Sequence, residues 1–321
     1  MKRSTLLLTV FFLLLACSVP DQGKEPNFPD LSIKPDSASL FAPEIVSTPL
    51  TERDIAINPA GDQIIFTRGN HTYGIRALIS IRKFGNKWEE ASILPFSGSY
   101  HDLEPFFSPD NQKLFFASDR PLPHDSTRKD YNIWYVERKG DSWSEPKALD
   151  SLINTRGNEF YPAVGESGNL YFTAAYPGHP GGEDIYLSKW ENGRYTKPLA
   201  LDSAVNSPSY EFNAYVSPKE DIIVFSSFGR KDGKGGGDLY MSQKDESGSW
   251  QKAIHLTAIN TPSLDYCPFI DLPRGMLYFT SNIGEEAPQK LTHPDQFISL
   301  QKEIRNGSGN IYRIDLEKIM P

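Results

Sequence analysis

Short apolar runs, broken by tight polar turns, recur along this chain and recur in phase. Leu103 to Ser108 is apolar, Ser108-Pro109-Asp110-Asn111 interrupts it, and Leu114-Phe115-Phe116 follows. Proline pre-sets one turn dihedral and Asp or Asn tolerates the others, so the unit reads as a β-hairpin. A lone hairpin is marginal in water and needs neighbours to bury its faces. Copies are therefore expected, and they are present. An acidic residue precedes each first strand, at Glu52, Asp102, Glu159, Glu211 and Asp265, in steps of 50, 57, 52 and 54 residues. The second strands carry Phe66, Phe116, Phe172, Phe225 and Phe279 in the same rhythm. A third strand follows each time (ALISI, NIWYV, DIYLS, DLYMS, NIYRI), then a polar turn and a fourth apolar run such as QKAIHLTAINT. Four short strands per period of about 50 residues is the signature of a propeller blade.

The pattern predicts an all-β chain, a β-propeller of four-stranded antiparallel blades. The last repeat stops after its third strand, NIYRIDLEKIM. Pro43 to Pro49 resembles the fourth-run endings and stands six residues before its acid (Val46 to Glu52), as Ile259 does before Asp265. The N-terminal strand is expected to complete the C-terminal blade and close the ring, which removes exposed sheet edges. Five blades result; a six-bladed ring needs a further repeat.

With these residues in view, the pattern INT-x3-[DE]-x2-P, then SPD, an aromatic second strand and DIY resembles the WD-like propeller repeats of the TolB type, over residues 43 to 317. Blade one departs with Ile55 in place of the proline, and blade three with Gly165-Glu166 in place of Ser-Pro. The resemblance implies fold; function belongs to sites on the fold.

Residues 1–16 read as a signal peptide: Lys2-Arg3, then the apolar core Leu6 to Leu15, too short to span a bilayer. Leu14-Leu15-Ala16-Cys17 resembles the bacterial lipobox, which implies lipidation of Cys17. Residues 17–41, rich in proline, read as a flexible linker, and 42–321 as the propeller. Ser18 is, by resemblance to lipoprotein sorting rules, compatible with an outer-membrane anchor, the domain then lying in the periplasm or at the cell surface. The other cysteine, Cys267, is expected to be a buried, inert thiol.

The net charge of −8 argues against nucleic acid as partner. Turns between first and second strands are uniformly short, whereas the loops between second and third strands are long and varied. Function is expected on the long-loop face. A helix is predicted from Pro294 to Arg305 in the longest of these loops, capped by Thr292 or His293.

The candidate binding face comprises Arg120, His124, Arg128, Lys129, His179, Arg230, Lys231 and Lys234, a basic rim suited to an acidic protein patch or anionic glycan. Tyr100, Tyr161, Tyr176 and Tyr210 lie near it. The five repeat acids read as structural acceptors for the preceding loops, since five like charges around one channel repel. No metal spacing, nucleophile elbow or cofactor motif is present, so no catalytic residue, metal or cofactor is assigned. The expected function is an envelope binding or scaffold protein that engages a protein partner or glycan. The alternative is a carbohydrate-active enzyme, glycoside hydrolase or lyase, with acids outside the repeat phase, such as Asp119, Asp125 or Glu183, converging on the axis.

Overall fold

A computed structural model describes residues 28, 30–85, 87–123, 125–178, 181–285 and 290–320. Cys17, His124 and His179 lie outside the described residues, as do the signal segment and positions 17–27 and 29 of the expected linker.

Five antiparallel sheets form the blades of a propeller. Blade one contains strands Thr51–Ile57, Gln63–Gly69, Arg76–Phe84 and Ser92–Ile93. Blade two contains Asp102–Phe107, Lys113–Ser118, Asn132–Lys139 and Lys147–Ala148. Blade three contains Glu159–Val164, Leu170–Ala174, Asp184–Ser188 and Leu199–Ala200. Blade four contains Tyr210–Val216, Ile222–Phe228, Asp238–Gln243 and Ile254–His255. Blade five contains Asp265–Asp271, Met276–Ser281 and Asn310–Asp315, completed by Ser39–Leu40 from the N-terminal side.

The closing strand thus lies inside the stretch read as linker, a few residues before Pro43. The motif matched in sequence is not the strand but the turn after it. Val46 N–H bonds Ala42 C=O, as Asn260 N–H bonds Leu256 C=O at the end of blade four. Packing extends the boundary further. Phe41 is fully buried with its ring 5.1 Å from Tyr278, and the Phe28 ring packs tilted against Trp88 at 4.4 Å.

The repeat grammar has a packing reason. Phe66, Phe116, Phe172, Phe225 and Phe279 are all buried. In blades three to five the ring stacks on a third-strand tyrosine: Tyr186 at 5.9 Å, Tyr240 at 6.0 Å and Tyr312 at 5.8 Å. The asparagine of the inter-blade turn is a lock. Asn154 accepts from Ile133 N–H and donates to Ile133 and Leu149 C=O, and Asn206 repeats this with Ile185 and Leu201. Each satisfies a backbone donor and acceptor that burial would otherwise leave unpaired.

Every inner strand carries a β-bulge two residues after its repeat acid. The bulged residues Asp54, Glu104, Tyr161, Asn213 and Cys267 all have positive φ, from 49° to 61°. Left-handed backbone is uncommon for such residues, and a bulge re-aims the side chain. Here the bulges turn inward: Asn213 bonds both Glu104 and Cys267 across the ring.

The expected helix is present but shorter, Asp295–Gln301. Pro294 takes the capping position without a side-chain cap. The Gln296 carbonyl oxygen instead accepts from the Thr292 and His293 N–H groups. The helix buries none of its residues, and Phe297 is 65% exposed.

Candidate functional site: the axial funnel

The repeat acids do not line an open channel. All five are buried at 0% exposure. In four blades a hydroxyl residue four positions earlier donates both its N–H and its O–H to the carboxylate: Thr48 to Glu52, Thr155 to Glu159, Ser207 to Glu211 and Thr261 to Asp265. Blade two has Gly98 at that position, and Asp102 relies on Arg120, whose Nη2 lies 2.5 Å from its Oδ1; Arg68 and Arg230 reach Glu52 and Glu211 in addition to the hydroxyls. These contacts tie each repeat acid to the turn that enters its blade.

The residues of the expected basic rim are placed as follows. Arg120 is 8% exposed and committed to Asp102 and Ser118. Arg230 donates to Glu211 and Ser227, and also to Val205 C=O. Arg128 is held by Asp130 and Thr155 C=O. Lys234 Nζ donates to Thr257 C=O at 2.9 Å. Lys129 and Lys231 are exposed. The arginines of this set are therefore clamps between blades. The glycine run beside Lys234 is likewise structural: a Cβ on Gly235 would stand 2.0 Å from Ser263 C=O, so the loop presses directly onto the next blade's entry. Asp119 accepts from His101 N–H, and Asp125 from Thr127.

The long-loop end of the axis opens into a funnel of about 420 Å³, whose floor includes the bulge residues Glu104 and Asn213. Arg53 sits at the floor. Its Nε donates to Asp54 at 2.6 Å and its Nη2 to Glu104 at 2.8 Å. Glu104 also accepts from Tyr161 N–H at 2.7 Å and Asn213 Nδ2 at 3.3 Å, so one carboxylate draws on donors from blades one, three and four. Burial pushes the Glu104 carboxyl up to about 7, against the pull of Arg53. The walls are aromatic: Tyr131 packs on Phe160 at 5.0 Å, and Tyr210 pairs with Phe228 at 6.2 Å, each of these last two 48% exposed.

Two charged groups line this funnel without a side-chain hydrogen bond or ion pair to a described residue. The Arg76 guanidinium lies 4.1 Å from the Tyr73 ring centre, and its buried Nε has no acceptor. The Glu183 carboxyl accepts no hydrogen bond from a described residue, and burial raises its pKa. Of the three acids considered for an axial site, Glu183 is the one in the funnel. Of the four tyrosines, Tyr210 is; Tyr161 is buried beneath it, Tyr176 bonds Glu159, and Tyr100 underlies Arg120.

Sequence reasoning misses Arg53, Arg76, Glu104 and Tyr131. A signal exists for the first. The position after each repeat acid reads Leu103, Phe160, Phe212 and Tyr266 in four blades and Arg53 in the fifth. A cation inside an otherwise apolar repeat position marks a departure from the grammar.

A larger cleft of about 580 Å³ lies between blades two and three at the short-turn end. Its Trp190 packs on Gly168 and Tyr195, and its Asp110 accepts from Ser108 and Gln112 N–H, so these groups are occupied by the fold.

No protein-family model matches the chain, and no curated protein matches its sequence. Among solved structures it is similar to a glycoside hydrolase at 9% identity, covering 88% of this chain and 89% of that one with a TM-score of 0.52. It is similar at 9% identity, with the same coverages and a TM-score of 0.51, to a protein solved as an RGII complex. TolB from Acinetobacter baumannii is similar at 12% identity and a TM-score of 0.43; 82% of this chain is covered, and 54% of that TolB. The shared feature is the propeller fold.

Proposed function

We propose that this protein is an envelope binding protein that holds a small polar ligand, a saccharide or the end of a glycan chain, in the axial funnel. One observation carries the reading: Arg76 and Glu183, neither in a side-chain hydrogen bond or ion pair with a described residue, line a single cavity with aromatic walls. A pocket with apolar rings and a few convergent polar groups is the usual form of a small-ligand site. Sugar C–H faces pack on aromatic rings, while hydroxyls need both donors and acceptors, and the funnel supplies both. Cys17 provides the membrane attachment. Among the described residues, no helix is long and apolar enough to cross a bilayer.

Glycoside hydrolysis is the second reading, favoured by the neighbourhood of Glu104 and Glu183, whose charge raises the Glu104 pKa. A pair of carboxyl groups, one protonated near neutrality, is what such chemistry requires. Against it, both Glu104 oxygens already accept protein hydrogen bonds, so this carboxyl is committed to the floor. Binding without turnover is the better-supported function.

The test is glycan-array binding by the domain from residue 28 onward, with Tyr210→Ala and Phe228→Ala as funnel variants. Binding lost in both variants, with no reducing ends released, supports the proposal. Binding unchanged in both defeats it, and turnover that disappears in Glu183→Gln favours the hydrolase. Metabolic labelling with an alkyne fatty acid, absent in Cys17→Ala, tests the anchor.

A further inference from the structure

We infer that the funnel selects a carboxylate-bearing saccharide, with Arg76 as the residue that recognises the charge; this rests on the funnel-binding reading above. The structure offers a direct comparison among arginines. Arg53, Arg68, Arg120 and Arg230 each meet a carboxylate within 2.9 Å. Arg76 meets none among the described residues, although it is partly buried, with one face on Tyr73 and Tyr131 lying 5.7 Å from its Cζ.

A partly desolvated guanidinium without a counter-charge is costly to the free protein, and a ligand anion relieves that cost. The Tyr73 ring, its centre 4.1 Å from Arg76 Cζ, holds the guanidinium while its terminal nitrogens remain as donors. That planar fork fits a carboxylate in bidentate fashion, which a lysine ammonium does not reproduce.

Glu183 narrows the class. An unpaired carboxyl in the same cavity repels a second anionic group but accepts from hydroxyls. A singly charged sugar with free hydroxyls satisfies both groups, whereas a phosphorylated or multiply sulfated ligand places excess negative charge near Glu183. A peptide C-terminus offers the same carboxylate but fewer hydroxyl donors for Glu183.

Isothermal titration with galacturonate, its methyl ester and galactose separates the possibilities. The expected result is that esterification weakens binding by about tenfold or more. In Arg76→Gln the acid and the ester should bind alike, and Arg76→Lys should restore only part of the preference. Circular dichroism and thermal melting check that both variants fold. Equal binding of acid and ester by the wild type, or an acid preference kept in Arg76→Gln, overturns the assignment of Arg76 while leaving the funnel reading intact. No binding of any saccharide defeats the funnel reading itself. Preference for a peptide with a free over an amidated C-terminus, in the absence of sugar binding, overturns the sugar class.

Discussion

Arg120 reaches back across its blade to place Nη2 2.5 Å from Asp102 Oδ1, and both side chains are buried. Arg68 and Arg230 reach Glu52 and Glu211 in the same way, but there a hydroxyl residue four positions before the acid donates as well. Asp102 lacks that hydroxyl because Gly98 stands there, so its charge depends on one guanidinium. Removing one partner of a buried ion pair strands the other and costs about 3–5 kcal/mol. Arg120→Ala is expected to lower unfolding stability by this amount in urea titration. Thr155→Val, which removes one of several donors to Glu159, should cost only about 1–2 kcal/mol. Equal costs would contradict the dependence of Asp102 on Arg120.

Glu159 differs from Glu52 and Glu211 in having no arginine on its carboxylate, and its Oε2 is buried without a partner. Burial pushes its pKa up from 4.5 to about 7, with Thr155 opposing. The folded state therefore keeps the proton where the unfolded state releases it. Stability from this group is present below about pH 4.5 and is lost as pH rises through about 7. The loss should be on the order of 2–3 kcal/mol between about pH 4.5 and 7.5. Urea titrations of wild type and Glu159→Gln at both pH values isolate it, because the variant should show a smaller decline. An equal decline would place the pH response elsewhere.

Ring closure can be tested by truncation. The third strand of blade five, Asn310–Asp315, is covered by Ser39–Leu40, and Phe41 fills the space against Tyr278. A chain beginning at Ala42 should expose that strand edge and self-associate, visible as larger species in light scattering. Phe41→Ala, which keeps the strand, should stay monomeric but lose about 3–5 kcal/mol to the cavity. A monomeric, stable truncation would show that the ring does not need its clasp.

Glu104 joins blades one, three and four through Arg53, Tyr161 N–H and Asn213. Glu104→Ala leaves Arg53 with Asp54 alone and removes the acceptor of a buried N–H. A loss of about 3–5 kcal/mol is expected, together with loss of ligand binding. Glu183→Ala, which breaks no side-chain hydrogen bond to a described residue, should change binding and leave the melting temperature unaltered. A large destabilisation in Glu183→Ala would move that residue from the ligand to the fold.

Much of this protein is written in local sequence. Periodic apolar runs, Ser-Pro-Asp turns, the phased phenylalanines and the Asn-Thr turns specify blades, because each depends on contacts within one repeat and its neighbour. The structural role of the repeat acids was also legible, since the donor stands four residues away. Other features were not. Arg120 and Arg230 look like free surface cations until the turn of the chain brings Asp102 and Glu211 beneath them. Arg76, unremarkable in its loop, becomes a distinct group only because no acid among the described residues folds against it. Glu104 and Asn213 lie 109 residues apart and meet through bulges that no single repeat reveals. Sequence by itself determined the blades and their closure into a ring. Tertiary structure alone decided which charges are satisfied by the fold and which, Arg76 and Glu183, are left facing the funnel, because burial and pairing are properties of the closed ring and not of any one repeat.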